Sequence, residues 1–194
     1  METILNPKDV VYVIDVSLSM GKSVSDYRPN KLIAVLQLIS TVIERRISRN
    51  KDRIGLVVFF SQAVPLLPVT NDLTAIMRSL AIINKTYEGS AIGDAIFEAA
   101  KLLQDSVREK EIIVVTDGDY NAGAPLELAA IYANNMKTKL IVITIGLKDK
   151  MKITNTLEFL SSNNLLTWIH TDKRSETLRA LLTTAGLEVR ESLI

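Results

Sequence analysis

An apolar segment near the N-terminus ends in three oxygen-bearing side chains at alternate positions, Asp15, Ser17 and Ser19. Side chains alternate between the two faces of an extended backbone, so we expect these three to point the same way. Val16 and Leu18 are expected to point back into the protein. Hard divalent cations such as Mg²⁺ and Mn²⁺ prefer oxygen ligands in near-octahedral geometry. The motif therefore predicts part of a metal shell that other segments of the chain must complete.

Two later segments also place oxygen atoms at the ends of predicted elements. Ser90 lies in a glycine-containing loop that leads into a helix, and Asp117 ends a second apolar strand. In an open α/β sheet, ligands bind outside the carboxyl ends of the strands, where the strand order reverses. Asp15 and Asp117 would meet there if their strands are neighbours. The first motif alone is as typical of a turn or helix cap as of a metal site, but the three segments together favour the metal site.

The three segments together resemble the metal-ion-dependent adhesion site of von Willebrand factor type A domains. Asp-x-Ser-x-Ser at 15–19, Gly-Ser-Ala-Ile-Gly-Asp at 89–94 and Thr-Asp-Gly at 116–118 occur in the family's order and rough spacing. The resemblance implies a single domain of this type over residues 1–194. It also implies five metal ligands: Asp15, Ser17, Ser19, Ser90 and Asp117. The family usually has threonine at the position of Ser90; serine keeps the hydroxyl but lacks the methyl group that restricts its rotamer.

The resemblance implies that the chain binds another protein and does not catalyse a reaction. In the family pattern the hydroxyls bind the metal directly, one or both aspartates act through water, and one coordination position stays open. An Asp or Glu carboxylate of another protein can fill that position. The chain is thus expected to be a Mg²⁺- or Mn²⁺-dependent protein-protein interaction module of the stand-alone prokaryotic type. Such members often work beside hexameric ATPases, which implies a complex containing one as a partner.

An alternative function rests on Gly21, Lys22 and Ser23, which follow the first strand. They resemble the end of a phosphate-binding loop, as in a Mg²⁺-dependent enzyme that binds and hydrolyses nucleotides. That loop requires glycine at position 16, where this chain has valine, and a helix directly after it, where this chain has a polar loop containing Pro29. With no cysteine and one histidine, the chain also lacks the usual groups for nucleophilic catalysis. We therefore expect no enzymatic activity; a purely structural metal is a third alternative.

Composition agrees with one water-soluble domain. The chain has 194 residues, 47% of them hydrophobic, which is enough to bury a full core. Its 23 Lys and Arg balance 22 Asp and Glu, so no global field favours nucleic acid or an anionic membrane. The longest apolar stretch, Leu32–Ile43, falls short of the roughly 20 residues that a membrane-spanning helix needs. The absence of cysteine is compatible with a reducing cytoplasm, and abundant Ile, Lys and Arg indicate a thermophilic, archaeal source.

Alternating strands and helices are predicted to position the three motifs. Strands are expected at 10–16, 54–60, 64–69, 111–116, 139–145 and 165–170, and helices at 29–49, 72–83, 91–107, 125–136, 151–162 and 175–190. Pro65 and Pro68 favour an edge position for the third strand, and its short connection favours an antiparallel direction. The pattern predicts a three-layer, doubly wound α/β fold, with a six-stranded, mostly parallel sheet and helices on both faces. The family resemblance implies the strand order 3-2-1-4-5-6, with strand 3 antiparallel.

Other charged and polar residues near these elements have simpler expected roles. Tyr27, in the loop after the first motif, is expected to be a solvated side chain. Asp119 is a further candidate to contact the metal, whereas Asp94 is expected to cap its helix or order the loop. Arg46 belongs to a run of basic residues at the end of the first long helix, where cations complement the helix dipole.

Overall fold

A central sheet of six strands organises the computed structural model, which describes residues 6–118, 120–146 and 153–187. The strands are β1 (Lys8–Asp15), β2 (Arg53–Phe59), β3 (Ala63–Thr70), β4 (Glu109–Thr116), β5 (Thr138–Ile145) and β6 (Thr167–Thr171). Their order in the sheet is 3-2-1-4-5-6. β3 is antiparallel to β2, and all other neighbouring pairs are parallel. The predicted order and the direction of the third strand are confirmed.

Helices cover both faces of this sheet. They are α1 (Lys31–Arg45), α2 (Leu73–Ala81), α3 (Ile92–Leu102), α4 (Leu126–Asn135), α5 (Thr154–Ser162) and α6 (Arg174–Thr184). A short 3-10 helix (Leu18–Gly21) follows β1, and a π-helical turn (Arg46–Asn50) follows α1. Residues 151, 152 and 188–190, which were also predicted to be helical, lie outside the described residues. In the part of the chain that the structure describes, no helix is both long and apolar enough to span a bilayer.

The alternation of side chains along β1 supplies two hydrophobic cores. Tyr12 and Ile14 face one side of the sheet, where they are buried with residues of α1, α2 and α6. Val11 and Val13 face the other side and are buried with residues of α3, α4 and α5. Strands that are apolar on both faces are typical of the centre of a parallel sheet covered by helices on each side. The predicted three-layer arrangement is confirmed.

α1 and α3 are among the helices that are shorter than the sequence predicted. α1 begins at Lys31 and not at Pro29, because the Asn30 side chain caps the helix by accepting the N–H of Ile33 at 2.9 Å. The helix predicted to reach residue 107 ends at Leu102, and a turn leads from there into β4. The Ser106 hydroxyl in this connection donates to Asp9 Oδ2 at 2.6 Å, so the chain is tied to β1 before β4 begins.

Arg46 is fully buried near the point where β1, β2 and β4 begin. Its Nη1 donates to Asp52 Oδ2 at 2.9 Å and its Nη2 to Glu111 Oε2 at 3.2 Å. Lys8 Nζ pairs with the other oxygen of Glu111 at 2.6 Å. The prediction that Arg46 acts at the helix end is therefore wrong, because its side chain turns inward and neutralises two buried carboxylates. Arg46 also donates to Thr184 Oγ1 at 3.2 Å, so the same group connects β4 with α6.

Replacing Arg46 with methionine is expected to lower the free energy of unfolding by about 3–5 kcal/mol, because Asp52 would stay buried without its cation and Glu111 would keep only Lys8. Urea denaturation followed by circular dichroism measures this loss. Lys101→Met serves as the control, since it removes only an exposed ion pair with Glu98 and should leave the urea midpoint unchanged. Equal midpoints for Arg46→Met and the wild type would contradict the role given to Arg46.

Candidate metal centre

The first motif begins where β1 ends. After Asp15 the chain turns into the 3-10 helix, and Asp15 Oδ1 accepts the backbone N–H of Ser17 at 2.8 Å. The side chains of the motif therefore converge through a turn and not along a continuing strand. Val16 is buried as predicted, but the prediction for Leu18 is wrong, since 51% of this residue is exposed. The alternation of an extended strand does not apply beyond the residue where the strand ends.

Four of the five predicted ligands lie at one hydrogen-bonded cluster. The Oγ atoms of Ser17 and Ser19 lie 2.9 Å apart, and Ser19 Oγ donates to Asp117 Oδ1 at 2.8 Å. On the other side, the Thr116 hydroxyl donates to Asp15 Oδ2 at 2.5 Å. These contacts form because β1 and β4 are parallel neighbours and end at the same edge of the sheet. The expectation that Asp15 and Asp117 meet at this edge is confirmed.

The spacing of these oxygens is suited to an octahedral metal shell. Adjacent oxygen ligands at the Mg²⁺–oxygen distance of about 2.0–2.1 Å lie about 2.9 Å apart. The Ser17–Ser19 separation of 2.9 Å and the Ser19–Asp117 separation of 2.8 Å are ordinary hydrogen-bond lengths that are also compatible with this value. Among the described residues, no group of three or more His, Cys, Asp or Glu side chains could hold a metal.

Ser90 reaches the same place from a loop that is hydrogen-bonded to the sheet. Upstream of it, the N–H of Tyr87 donates to Val16 O at 2.8 Å. Its own N–H donates to Asn121 Oδ1 at 2.9 Å. Ser90 is buried and lines, together with Ser17 and Ser19, a surface cavity of about 380 Å³. The structure thus places Ser90 at the same cavity as the other two serines.

A close contact between two loops holds this arrangement in place. Asp94 Oδ1 accepts the N–H of Ala124 at 2.9 Å, which ties the loop after β4 to the first turn of α3. A Cβ atom on Gly93 would lie 2.0 Å from Ala124 O, so only glycine permits the approach. The expectation that Asp94 orders the loop agrees with this contact. Asp119 lies outside the described residues.

Three residues that are not among the five predicted ligands also contact the cluster or its loops. Thr116 and Asn121 hold Asp15 and the Ser90 loop through the hydrogen bonds above, and Thr116 stands in the Thr-Asp-Gly motif, where it could have been noticed. Lys31 gave no such signal. Its Nζ lies 2.7 Å from Asp117 Oδ2, across 86 positions of the sequence. This contact depends on where α1 begins, which the residue pattern alone did not predict correctly.

The loop between the 3-10 helix and α1 does not have the shape of a phosphate-binding loop. Gly21 ends the 3-10 helix, Lys22 and Ser23 are exposed, and α1 starts only at Lys31. A phosphate-binding loop would place a helix N-terminus at the lysine and serine.

Tyr27 in this loop is buried, contrary to prediction, because its hydroxyl lies 2.8 Å from Thr177 Oγ1 of α6.

Burial raises the pKa of the Asp15 carboxyl to about 7. Hydrogen bonds from Ser17 and Thr116 favour the charged form, but they do not offset the loss of water around a fully buried carboxylate. The nearby negative charge of Asp117 raises the pKa further. A cation at this cluster would therefore relieve an electrostatic cost that the folded chain already carries.

Comparisons with known proteins identify the family and the fold. Residues 10–119 match the model of the von Willebrand factor type A domain. An uncharacterized protein of Borreliella burgdorferi is 32% identical over 149 residues, which is 75% of this chain and 42% of that protein, so this chain spans less than half of its relative. The crystal structure of BatB from Bacteroides thetaiotaomicron superimposes with a TM-score of 0.76 at 21% identity, covering 92% of this chain and 98% of BatB.

A further solved structure of the same fold carries a metal. Proximal thread matrix protein 1 from the mussel byssus, described as having a zinc-occupied metal-ion-dependent adhesion site, superimposes with a TM-score of 0.73 at 18% identity. The match covers 92% of this chain and 46% of the mussel protein. At these identities, the two solved structures establish the fold alone.

In EDTA, the contribution of Asp15 to the free energy of unfolding is expected to fall as pH rises from about 4 to 7. The folded-state pKa of Asp15, about 7, exceeds the unfolded value of 3.8, so folding favours the protonated carboxyl. This contribution is complete below the unfolded pKa and is lost as pH rises through the folded pKa, by at most about 1.4 kcal/mol per pH unit. Urea unfolding of the wild type and Asp15→Asn, which cannot ionise, isolates the term as a difference in slope. Parallel pH profiles would refute it.

Proposed function

The chain belongs to the von Willebrand factor type A family, and we propose that it is a divalent-metal-dependent module that binds an acidic side chain of a partner protein. The proposed metal is Mg²⁺ or Mn²⁺, and the proposed ligands are Asp15, Ser17, Ser19, Ser90 and Asp117. The single observation that carries the proposal is the run of hydroxyl and carboxylate oxygens spaced 2.9 and 2.8 Å apart at the ends of two neighbouring strands. A metal held there would supply an electrophilic coordination position at the protein surface.

The chain's own residues support that role in distinct ways. Asp15 is buried, and donors on both oxygens hold it in place, so it supplies charge at a fixed point. Ser17 and Ser90 are buried, whereas Ser19 is partly exposed beside the exposed Leu18. An incoming ligand would therefore reach the cluster past Ser19 and Leu18. Hard oxygen donors of this kind favour Mg²⁺ or Mn²⁺ over softer ions, and the zinc in the mussel relative supports a divalent ion at the corresponding motif.

The arrangement supports binding better than catalysis. His170 is the only histidine in the sequence, and its ring nitrogens lie 3.0 Å from Thr144 Oγ1 and 3.2 Å from Asp172 Oδ1 at the end of β6. Lys22 and Ser23 lie in an exposed loop, and α1 does not begin directly after them but at Lys31. We therefore propose a binding role in which a carboxylate is held and released unchanged. The partner is another protein that presents Asp or Glu, and a complex that contains a hexameric ATPase would offer such a surface.

Calorimetric titration of the EDTA-stripped protein with Mg²⁺ tests the metal site directly. The wild type should bind Mg²⁺ saturably, and Asp15→Ala and Ser19→Ala should weaken binding at least about tenfold, because each removes a ligand oxygen. Ser23→Ala is the matched control, since it removes a neighbouring serine hydroxyl that belongs only to the nucleotide alternative. A parallel titration with ATP should give no heat. Absence of Mg²⁺ binding, or ATP binding that Ser23→Ala abolishes, would refute the proposal.

The carboxylate-binding step has its own test. A blocked Gly-Asp-Gly peptide should shift the backbone amide signals of residues 17–19 in NMR spectra when Mg²⁺ is present, and EDTA should abolish the shifts. The Gly-Asn-Gly peptide, which lacks the charge, should leave the signals unchanged. Equal shifts with both peptides would contradict recognition of an acidic side chain.

A further inference from the structure

Lys31 forms an ion pair with a residue of the proposed metal site. Its Nζ lies 2.7 Å from Asp117 Oδ2, and only 12% of the Lys31 side chain and 5% of the Asp117 side chain are exposed. The other oxygen of Asp117 accepts the Ser19 hydroxyl. Each oxygen of this carboxylate therefore has its own partner, and only one of them lies on the side of the serine cluster.

The position of Lys31 is determined by the fold. It is the first residue of α1, directly after the capping residue Asn30. Its backbone N–H donates to Lys22 O at 3.3 Å, which joins the start of α1 to the residue that follows the 3-10 helix. A helix start held at both points brings the ammonium group to Asp117 and limits where it can move. This ion pair is therefore fixed by the fold, unlike an ion pair that a flexible lysine forms on an open surface.

The charges of the site lead to a simple balance. The carboxylates of Asp15 and Asp117 would neutralise a divalent cation, and the ammonium of Lys31 leaves the loaded site with one positive charge. One added carboxylate makes the whole assembly neutral. Because Asp15 is fully buried and Asp117 nearly so, an uncompensated charge there is costly and its removal favourable.

The surrounding cavity does not alter that balance. Lys31 lines a cavity of about 700 Å³ that also borders Ser19 and Asp117. Among the described residues, the remaining charged side chains of its lining are two lysines and two aspartates, whose formal charges cancel: Lys22, Lys173, Asp26 and Asp172. Glu88 borders the smaller cavity beside Ser17, Ser19 and Ser90, but it is exposed, so solvent screens its charge. Among the described residues, the charges near the site that are largely shielded from solvent are those of Asp15, Asp117 and Lys31.

We propose that Lys31 is a specificity-determining residue that makes the metal site selective for a singly charged carboxylate ligand; this inference rests on the metal-dependent binding function proposed above. Lys31 weakens the metal's own binding, because it adds a positive charge and engages one oxygen of Asp117. It strengthens carboxylate binding to the metal-loaded site, because Lys31 gives that site a net positive charge and the carboxylate of the ligand neutralises it. The two effects have opposite signs, which a purely structural role for Lys31 would not produce.

Removing the charge tests this directly. Lys31→Met and Lys31→Gln are expected to bind Mg²⁺ about three- to tenfold more tightly than the wild type, and the loaded variants to bind the blocked Gly-Asp-Gly peptide about three- to tenfold more weakly. Lys31→Arg, which keeps the charge, should restore peptide binding. Lys22→Met removes a lysine from the lining of the same cavity and is expected to change neither affinity by more than about twofold. Calorimetry measures the metal, and NMR titration at saturating Mg²⁺ measures the peptide.

The outcomes separate this inference from the function on which it rests. Failure of the wild type to bind Mg²⁺ would refute the proposed function itself. If the wild type binds Mg²⁺ and peptide but Lys31→Met and Lys31→Gln change both affinities in the same direction, or neither, the role of Lys31 is refuted. Thermal melts of each variant in EDTA identify a variant that does not fold, and Lys31→Gln then replaces Lys31→Met as the deciding comparison.

Discussion

Parallel pairing of β1 with β4 is the constraint on which the candidate site depends. The register places Ile14 opposite Val115, so the next residues, Asp15 and Thr116, lie side by side where both strands end. A slip of one residue would turn every side chain of β1 to the other face of the sheet, and both faces are buried. The two hydrophobic cores therefore determine the register, and the register brings the carboxylate of Asp15 to the hydroxyl of Thr116.

The two ends of these strands handle buried charge differently. Where the strands begin, the negative charges of Asp52 and Glu111 are matched by the cations of Arg46 and Lys8, so the cluster is neutral within the chain. Where they end, two aspartates face the single cation Lys31 among the described residues. The first cluster is complete without any other molecule and serves stability. The second has an unbalanced negative charge, which is the electrostatic condition for binding a cation.

Local sequence patterns predicted the architecture, but they did not predict contacts between residues that are far apart in the sequence. Apolar runs indicated the central strands, and Pro65 and Pro68 indicated the edge strand, because each is a property of a few neighbouring residues. Leu18 was misassigned because strand alternation was continued past the end of the strand. The roles of Arg46 and Lys31 depend on partners 65 and 86 positions away, and only the folded chain brings these partners together.

The contact at Gly93 has a consequence for how this protein can vary. Because Ala124 O occupies the space of a side chain, every substitution at position 93 must displace the loop after β4, whatever its polarity or size. The neighbouring Asp94 contributes one accepted hydrogen bond, which an asparagine could also make. Two adjacent residues thus tolerate substitution differently. The space at position 93 admits only glycine, whereas position 94 admits any side chain that can accept the same hydrogen bond.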